Sequence, residues 1–396
     1  EKRFTGGALC LLNYANGLAE LGHDVTVVAS HASAEPLWFA KPWRFRFLAP
    51  SARSQMNDLA QATGRAGFEI GKCLLTGRPL LGAVSRKHIR DALDAANGLL
   101  GQRGGIGAYT GAAIDNLRRT LPDADVTFAT SYETAYAVAV AGTGRLFYFA
   151  QHYEPFFWRE SLWGDAARRQ AELSYGLGLS QIVNSPWLAE TLRERHGIRD
   201  APVCSAAIDH RVFAMEPKPR RETNVLNVIS YGGRDAAWKG FREMCEGVRL
   251  ARQRNPTIRL NWSVYGTALI PPDNEVASYD FLGFLDQANL ARAYSRHDVL
   301  LSASWYESFP LFPLEAMACG LATICTQPGA EVYARHGQTA HIVQPQSPED
   351  IAAALERLAL DEPYRLALAG GGRITAAQFT WERAVSRMDS ILKASA

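Results

Sequence analysis

At 396 residues the chain is longer than one hydrophobic core comfortably fills, so two domains are expected. Its 47% hydrophobic and 21% charged content is that of an ordinary soluble globular protein, and a net charge of +2 gives no global argument for nucleic acid. The six cysteines (Cys10, Cys73, Cys204, Cys245, Cys319, Cys325) form no CxxC or Cys/His cluster, which argues for reduced, mostly buried thiols and a cytoplasmic setting.

No apolar run reaches the roughly 20 residues that span a bilayer, and no signal peptide is visible. The first residue is Glu1, not Met, so a preceding segment is expected. Charge is uneven: from Lys41 to Arg119 there are 13 basic against 5 acidic residues. That stretch reads either as a solvated face or as a peripheral contact with anionic lipid or a phosphate-bearing acceptor.

Gly6-Gly7 precedes a helical pattern (Leu9, Leu12, Ala15, Leu18, Ala19) that ends at Gly22, and Asp24–Ala29 reads as a buried parallel strand. A Gly-Gly turn opening such a helix suits a βαβ unit, and glycine lets a ligand approach the backbone closely, although most such pairs are only tight turns. Residues 50 to 120 carry recurrent glycines and helical stretches near Gly67–Leu75 and Ser85–Leu100, with no assignable topology. Ala124–Thr130 and Arg145–Ala150 are expected strands. The second runs into Gln151-His152-Tyr153-Glu154-Pro155-Phe156-Phe157-Trp158, at the carboxyl end of a strand, where open α/β sheets bind ligands. There His152 and Glu154 serve as acid, base or hydroxyl ligands, or else as an ordinary loop histidine and a turn. Ser180–Asn184 is a further strand and Ser185-Pro186-Trp187 opens a helix to His196. The proline- and charge-rich stretch 214–224 reads as a linker.

In the second half Asn227–Tyr231 is a strand that enters the glycine turn Gly232-Gly233-Arg234-Asp235-Ala236-Ala237-Trp238-Lys239-Gly240, followed by a helix through Arg252. Arg259–Tyr265, Tyr279–Leu282, Asp298–Ser302, Leu321–Cys325 and Ala340–Val343 are strands, and Leu290–Ser295 and Pro348–Leu360 are helices. Strands alternating with helices in both halves imply two doubly wound parallel sheets. After Asp298–Ser302 a loop presents Glu307, Pro313 is expected to open a short helix that stops at Gly320, and Glu315 is expected in its first turn.

Two cations on a glycine turn, Arg234 and Lys239, can neutralise a diphosphate, and helix-start amides at Ser308–Pro313 can cradle it. Carboxylates such as Glu307 and Glu315 accept from vicinal hydroxyls. A diphosphate held between two polyol groups is a sugar nucleotide. Against this stands the reading in which Arg234 and Lys239 are solvated turn residues.

The Glu307/Glu315 pair (E-x7-E), Gly6-Gly7, Arg234, Lys239-Gly240, the run Leu314-Glu315-Ala316-Met317-Ala318-Cys319-Gly320 and the late Phe379-Thr380-Trp381-Glu382 together resemble glycosyltransferase family 4 (GT4), retaining enzymes of GT-B fold. The resemblance implies an α/β protein of two Rossmann-like domains: an acceptor-binding domain over 1–213, a linker over 214–224, a nucleotide-sugar domain over 225–378 and a last helix, 379–396, packing back on the first. It implies that Arg234 and Lys239 hold the donor diphosphate and that Glu307 meets the sugar hydroxyls, with Ser308, Phe309, Pro310 and Leu311 beside it. Glu315 would bind ribose, Gly6, Gly7 and the Gly233 turn would approach the phosphates, and Phe284 would lie near the base. His152 would lie near the reacting sugar. Glu154-Pro155 resembles rhamnosyl-transferring members and is assigned to the acceptor side.

The implied reaction is hexosyl or deoxyhexosyl transfer with retention, in which the leaving phosphate helps deprotonate a glycan, lipid-linked or small-molecule acceptor hydroxyl, as in bacterial surface glycan synthesis. No zinc or magnesium site is read from the sequence, so no metal and no cofactor are expected. Two stretches depart from the family: Asp235–Trp238 replaces an apolar-plus-Pro segment, and Ser205-Ala206-Ala207 replaces Pro-Asn-Gly. An epimerase or phosphorylase using the same residues, or a binding module without catalysis, is the alternative.

Overall fold

The computed structural model describes residues 6–29, 39, 41–49, 117–158, 164–216, 225–233, 236–266 and 277–394. Arg234, most of the basic 41–119 stretch, the helices expected within 50–120 and most of the expected linker lie outside them. The chain divides into two compact units, Glu1–Val183 with Thr191–Val203, and Asn184–Glu190 with Cys204–Ala396.

In the first unit, helix α1 (Gly6–Glu20) buries Cys10, Leu12, Tyr14, Ala15 and Leu18. Two asparagines share that buried face and both are satisfied. Asn16 donates to the Pro42 carbonyl at 2.9 Å and accepts from the Arg44 amide at 3.0 Å, while Asn13 accepts from Lys41 at 2.6 Å. Strand β1 (Thr26–Val28) pairs in parallel with β2 (Arg46–Leu48). A second parallel sheet runs in the order β3 (Val126–Ala129), β4 (Arg145–Ala150), β5 (Ser180–Val183). Helix α2 (Tyr132–Ala141) opens with a reciprocal capping box between Ser131 and Thr134. A 3-10 turn, Glu154–Trp158, follows β4 and leads to α3 (Gly164–Ser174), and α4 (Pro186–His196), whose residues are divided between the two units, follows β5.

The second unit is built on a six-stranded, wholly parallel sheet. Its strands in chain order are β6 (Val225–Gly233), β7 (Arg259–Gly266), β8 (Asp280–Gly283), β9 (Val299–Ser302), β10 (Ala322–Cys325) and β11 (His341–Ile342), and its spatial order is β11-β10-β9-β6-β7-β8. The chain winds outward from β6 through β7 to β8, then returns to the other side of β6 and winds through β9 to β11. The order therefore reverses between β6 and β9, and the crevice at their carboxyl ends is where such sheets receive ligands. Leu226, Val228, Trp262, Val299, Leu301 and Ile324 form the core around which helices α5 (Phe241–Arg254) and α8 (Pro348–Leu360) pack. The remaining helices are α6 (Gln287–Ser295), α7 (Leu311–Ala318), α9 (Glu362–Ala376) and α10 (Trp381–Ala394). The segment 204–210 is tied to the start of α10: the Phe379 carbonyl accepts from the Ile208 amide and lies 3.3 Å from His210 Nε2.

One sequence expectation changes. The short helix starts at Leu311, so Pro313 is its third residue and Glu315 its fifth, with no acidic residue in the first turn. Proline is tolerated there because the first N–H groups of a helix have no intrahelical acceptor to lose. Helix α9 lies in a stretch to which no element is assigned from sequence. Two of its glycines allow close packing: a Cβ on Gly371 would stand 2.1 Å from the Gln338 carbonyl oxygen, and one on Gly372 2.9 Å from Met317.

Candidate functional site

The loops after β6 and β9 converge at the switch point. After β6 a 3-10 turn, Ala237–Lys239, is closed by Gly240 in the left-handed region (φ 71°). After β9 the chain runs through Ser304-Trp305-Tyr306-Glu307 to the helix start. The loops are laced together by the Trp305 amide donating to the Trp238 carbonyl at 2.7 Å. Lys239 forms an ion pair with Glu307 Oε1, which also accepts from Ser304 Oγ at 3.1 Å. Both side chains are largely withdrawn from solvent, at 17% and 15% exposure.

Next to this pair stands the start of α7. Its N-cap is Pro310, which offers no side-chain acceptor to the first-turn amides. Unclaimed helix-start N–H groups favour an anion. One turn deeper, Glu315 is buried and its Oε2 has no hydrogen-bond partner. Burial pushes its carboxyl up to about 8, so it is neutral at pH 7. A neutral carboxyl both donates and accepts, which suits recognition of vicinal hydroxyls. The helix ends as the sequence indicated. Gly320 takes φ 74°, its amide reaches the Met317 carbonyl and the Leu321 amide reaches that of Ala316, each at 3.0 Å.

Other expected donor-binding residues are placed less directly. Ser308 is buried and donates to Asn184 Oδ1. The Phe309 ring packs on Tyr333 and Phe379 at centroid distances of 5.6 and 5.9 Å, and Tyr333 donates to the Pro310 carbonyl at 2.6 Å. These side chains hold the loop, leaving backbone as what it can offer a ligand. Leu311 is the first residue of α7. Gly233 ends β6 opposite Gly266. Phe284 is 59% exposed and follows the edge strand β8, two strands from β6.

In the first unit Gly6 and Gly7 open α1, and a Cβ on Gly7 would lie 3.6 Å from Gln151 Nε2. The His152 ring lies against Phe157 at a centroid distance of 4.5 Å, tilted by 32°, with Nδ1 3.2 Å from the Tyr153 carbonyl. Glu154 is buried, and its two oxygens accept from the Tyr132 amide at 2.8 Å and the Tyr148 hydroxyl at 3.1 Å. Its carboxylate thus ties the loop after β4 to the start of α2.

Sequence reasoning passed over three features of the site. Trp238 stacks on Tyr306 (5.3 Å, 10° between planes), and the Lys239 ammonium lies 4.2 Å from the Trp238 ring centroid. Trp305 donates to Glu243 Oε1 at 3.1 Å. The hydroxyls of Tyr265 and Tyr294 meet at 3.1 Å, and Phe312 packs on Tyr231 and Tyr265 at 5.0 and 5.6 Å. The aromatic density of Trp238-Lys239 and Trp305-Tyr306-Glu307 was the available signal. Among the described residues no group of three or more His, Cys, Asp or Glu could hold a metal ion, and no helix is long and apolar enough to cross a membrane.

Residues 227–361 match the family model "Glycosyl transferases group 1". Among curated proteins, the O-antigen biosynthesis protein RfbC of Myxococcus xanthus is 26% identical over 68% of this chain and 20% of its own length. The D-inositol 3-phosphate glycosyltransferases of Corynebacterium jeikeium and Rhodococcus erythropolis are 26% and 31% identical over 44% and 55% of this chain. The matched regions span 46% and 49% of those two relatives. Among solved structures, sucrose-phosphate synthase of Thermosynechococcus elongatus aligns with a TM-score of 0.64 at 16% identity over 98% of this chain and 93% of its own. Anabaena HepE, solved with UDP and glucose, aligns at 0.66 and 15% identity over 99% and 97%. The chain thus has the GT-B fold, and its residues 227–361 match the model of the group 1 glycosyltransferases.

Proposed function

We propose that the chain is a retaining glycosyltransferase that moves a sugar from a nucleoside-diphosphate donor to a hydroxyl of a glycan or lipid-linked acceptor. The observation that carries this reading is the Lys239–Glu307 ion pair at the β6/β9 switch point, beside the uncapped start of α7. A diphosphate arriving there draws the ammonium away from the carboxylate and takes the helix-start amides. Glu307 is then released to accept from sugar hydroxyls, and Glu315, buried one turn further in, faces the ribose. Lys239, with Arg234 from the preceding turn, neutralises charge that grows on the departing diphosphate. That chemistry runs on cationic side chains and backbone amides without a metal. The HepE neighbour was solved with UDP-glucose, which supports a nucleotide sugar as donor, and the RfbC relative supports a surface glycan as product. The first unit is assigned to the acceptor.

Thermal-shift screening of the full chain against UDP, GDP, dTDP and ADP selects the base, and the matching sugar nucleotides are then tested for transfer. Lys239→Ala and Glu307→Ala are expected to abolish transfer in a folded protein. Near-full activity in both variants would overturn the assignment. Retention is read from the anomeric configuration of the product, and sedimentation with anionic liposomes at low salt tests membrane contact through the basic 41–119 stretch.

A further inference from the structure

We propose that Trp238 is a positioning residue for Lys239: its indole face is the partner the ammonium keeps both when paired with Glu307 and when bound to a diphosphate. The inference rests on the donor site proposed above and adds a residue to it.

Among the described residues the ammonium has two partners. Glu307 is the stronger, and it is also the one the reaction must remove, because Glu307 cannot accept from sugar hydroxyls while its Oε1 is committed to Lys239. The second partner is the Trp238 ring, 4.2 Å away at its centroid. A cation over an indole face is held by the ring quadrupole, an attraction that uses neither a proton nor a lone pair and so persists while the ammonium exchanges one anion for another. Lysine is a point charge on a flexible four-carbon stem. Released from Glu307 with no other contact, it would sample solvent, and each donor would have to gather it again.

Trp238 is itself fixed in a way that suits this task. Its carbonyl accepts from the Trp305 amide at 2.7 Å, and its ring lies nearly parallel to Tyr306 at 5.3 Å. Trp305 is held in turn through its indole nitrogen on Glu243, at 3.1 Å. Trp238 and Lys239 sit in one 3-10 turn, and Trp305, Tyr306 and Glu307 are consecutive, so both loops that frame the ion pair also fix the ring that carries the cation. The two charges and two aromatic rings form one alternating assembly, with Lys239 against Trp238 and Glu307, and Tyr306 against Trp238.

The test is calorimetric titration of the full chain with whichever of UDP, GDP, dTDP or ADP binds, and with the corresponding nucleoside, in wild type, Trp238→Leu and Trp238→Phe. Trp238→Leu is expected to weaken the diphosphate about five- to tenfold, the size of a partly desolvated cation–π contact, and to leave the nucleoside unchanged. Trp238→Phe is expected to recover most of the loss, since it restores an aromatic face. In a Lys239→Met background, Trp238→Leu is expected to have no further effect on diphosphate affinity. Binding of no nucleoside diphosphate by wild type overturns the donor reading itself. A diphosphate affinity that Trp238→Leu leaves intact, or an equal loss for nucleoside and diphosphate, overturns the positioning role while the donor reading stands. Should Trp238→Leu not fold, the Trp238→Phe and Lys239→Met arms carry the same comparison.

Discussion

Gly240 and Ala303 approach so closely that a Cβ on Gly240 would stand 1.9 Å from the Ala303 carbonyl oxygen. This contact joins the loop after β6 to the loop after β9 and sets the spacing of Lys239 and Glu307 from behind. Gly240 also sits at φ 71°, in the left-handed region. Gly240→Ala is therefore expected to cost about 1–3 kcal/mol from backbone strain alone, with the clash added. Urea denaturation should show a clear fall in midpoint. Where the variant stays folded, its diphosphate affinity should fall as well, because relief of the clash moves one loop away from the other.

The Lys239–Glu307 pair is nearly covered but not sealed, and its removal should separate activity from stability. Lys239→Met and Glu307→Gln are each expected to reduce transfer by about a hundredfold or more, the scale of losing a group that stabilises developing charge. Stability is expected to fall by about 1–3 kcal/mol, since each substitution leaves the other charge largely covered though still within reach of solvent. In a double-mutant cycle for diphosphate binding, Glu307→Gln alone is expected to leave binding unchanged or tighten it, since the carboxylate competes with the ligand for the ammonium. A large loss of nucleotide affinity in Glu307→Gln would contradict that competition.

Glu315 gives the free protein a pH dependence of known sign. Burial raises its carboxyl from 4.5 to about 8, so the folded state keeps a proton that the unfolded state has already released. Below pH 4.5 the group is protonated in both states and contributes no difference. As pH rises toward 8 the unfolded state is progressively favoured, and above 8 the penalty levels off. By pH 7 the cost is about 3 kcal/mol. Glu315→Gln is expected to be more stable than wild type at pH 7 to 8, equal to it near pH 4, and flatter across the range. Melting temperatures of both proteins at pH 4, 6 and 8 check this. A wild type whose stability does not fall relative to the variant over that interval would show that the carboxyl is ionised and partnered.

What the sequence made legible was what a local pattern can carry. Apolar strands alternating with helices gave parallel sheets in both halves, and the spacing of Glu307 and Glu315 marked the loop and helix at the switch point. Gly320 at the end of a short apolar run gave the stop of α7. What stayed hidden depended on contacts between distant segments. Helix α9 drew no assignment, and its Gly371 and Gly372 make sense only once Gln338, Thr339 and Met317 are seen to occupy the space that side chains would fill. Pro313 looks like a first helical residue because its constraint is equally satisfied at the third. Trp238 was noticed only as a departure from a familiar pattern, since its value lies in Tyr306 and the Lys239 ammonium. Glu154 stays open in the sequence between an acid, base or hydroxyl ligand and a turn, because burial and partners cannot be read from Glu-Pro.

Glu154 supplies the prediction that separates a chemical from an architectural carboxylate. It is 6% exposed, and its oxygens accept from the Tyr132 amide at the start of α2 and from the buried Tyr148 hydroxyl. Tyr148 stacks on Tyr175, which stacks on Tyr153, so the carboxylate sits at the end of an aromatic column that underlies the loop bearing His152. Burial and the nearby carboxylate hold the Tyr148 phenol well above its usual range, which keeps it a neutral donor. Glu154→Ala removes both acceptors and strands a buried hydroxyl and a helix-start amide. The expected cost is about 2–4 kcal/mol, from two lost hydrogen bonds to a charged acceptor and the desolvation they leave uncompensated. Glu154→Gln retains one carbonyl acceptor and should recover part of that. If the role is architectural, transfer at a temperature where each variant is fully folded should follow the order wild type, Glu154→Gln, Glu154→Ala, with acceptor KM rising as the His152 loop loosens and donor affinity unchanged. A Glu154→Gln variant as stable as wild type but inactive would instead make Glu154 a group of the chemistry.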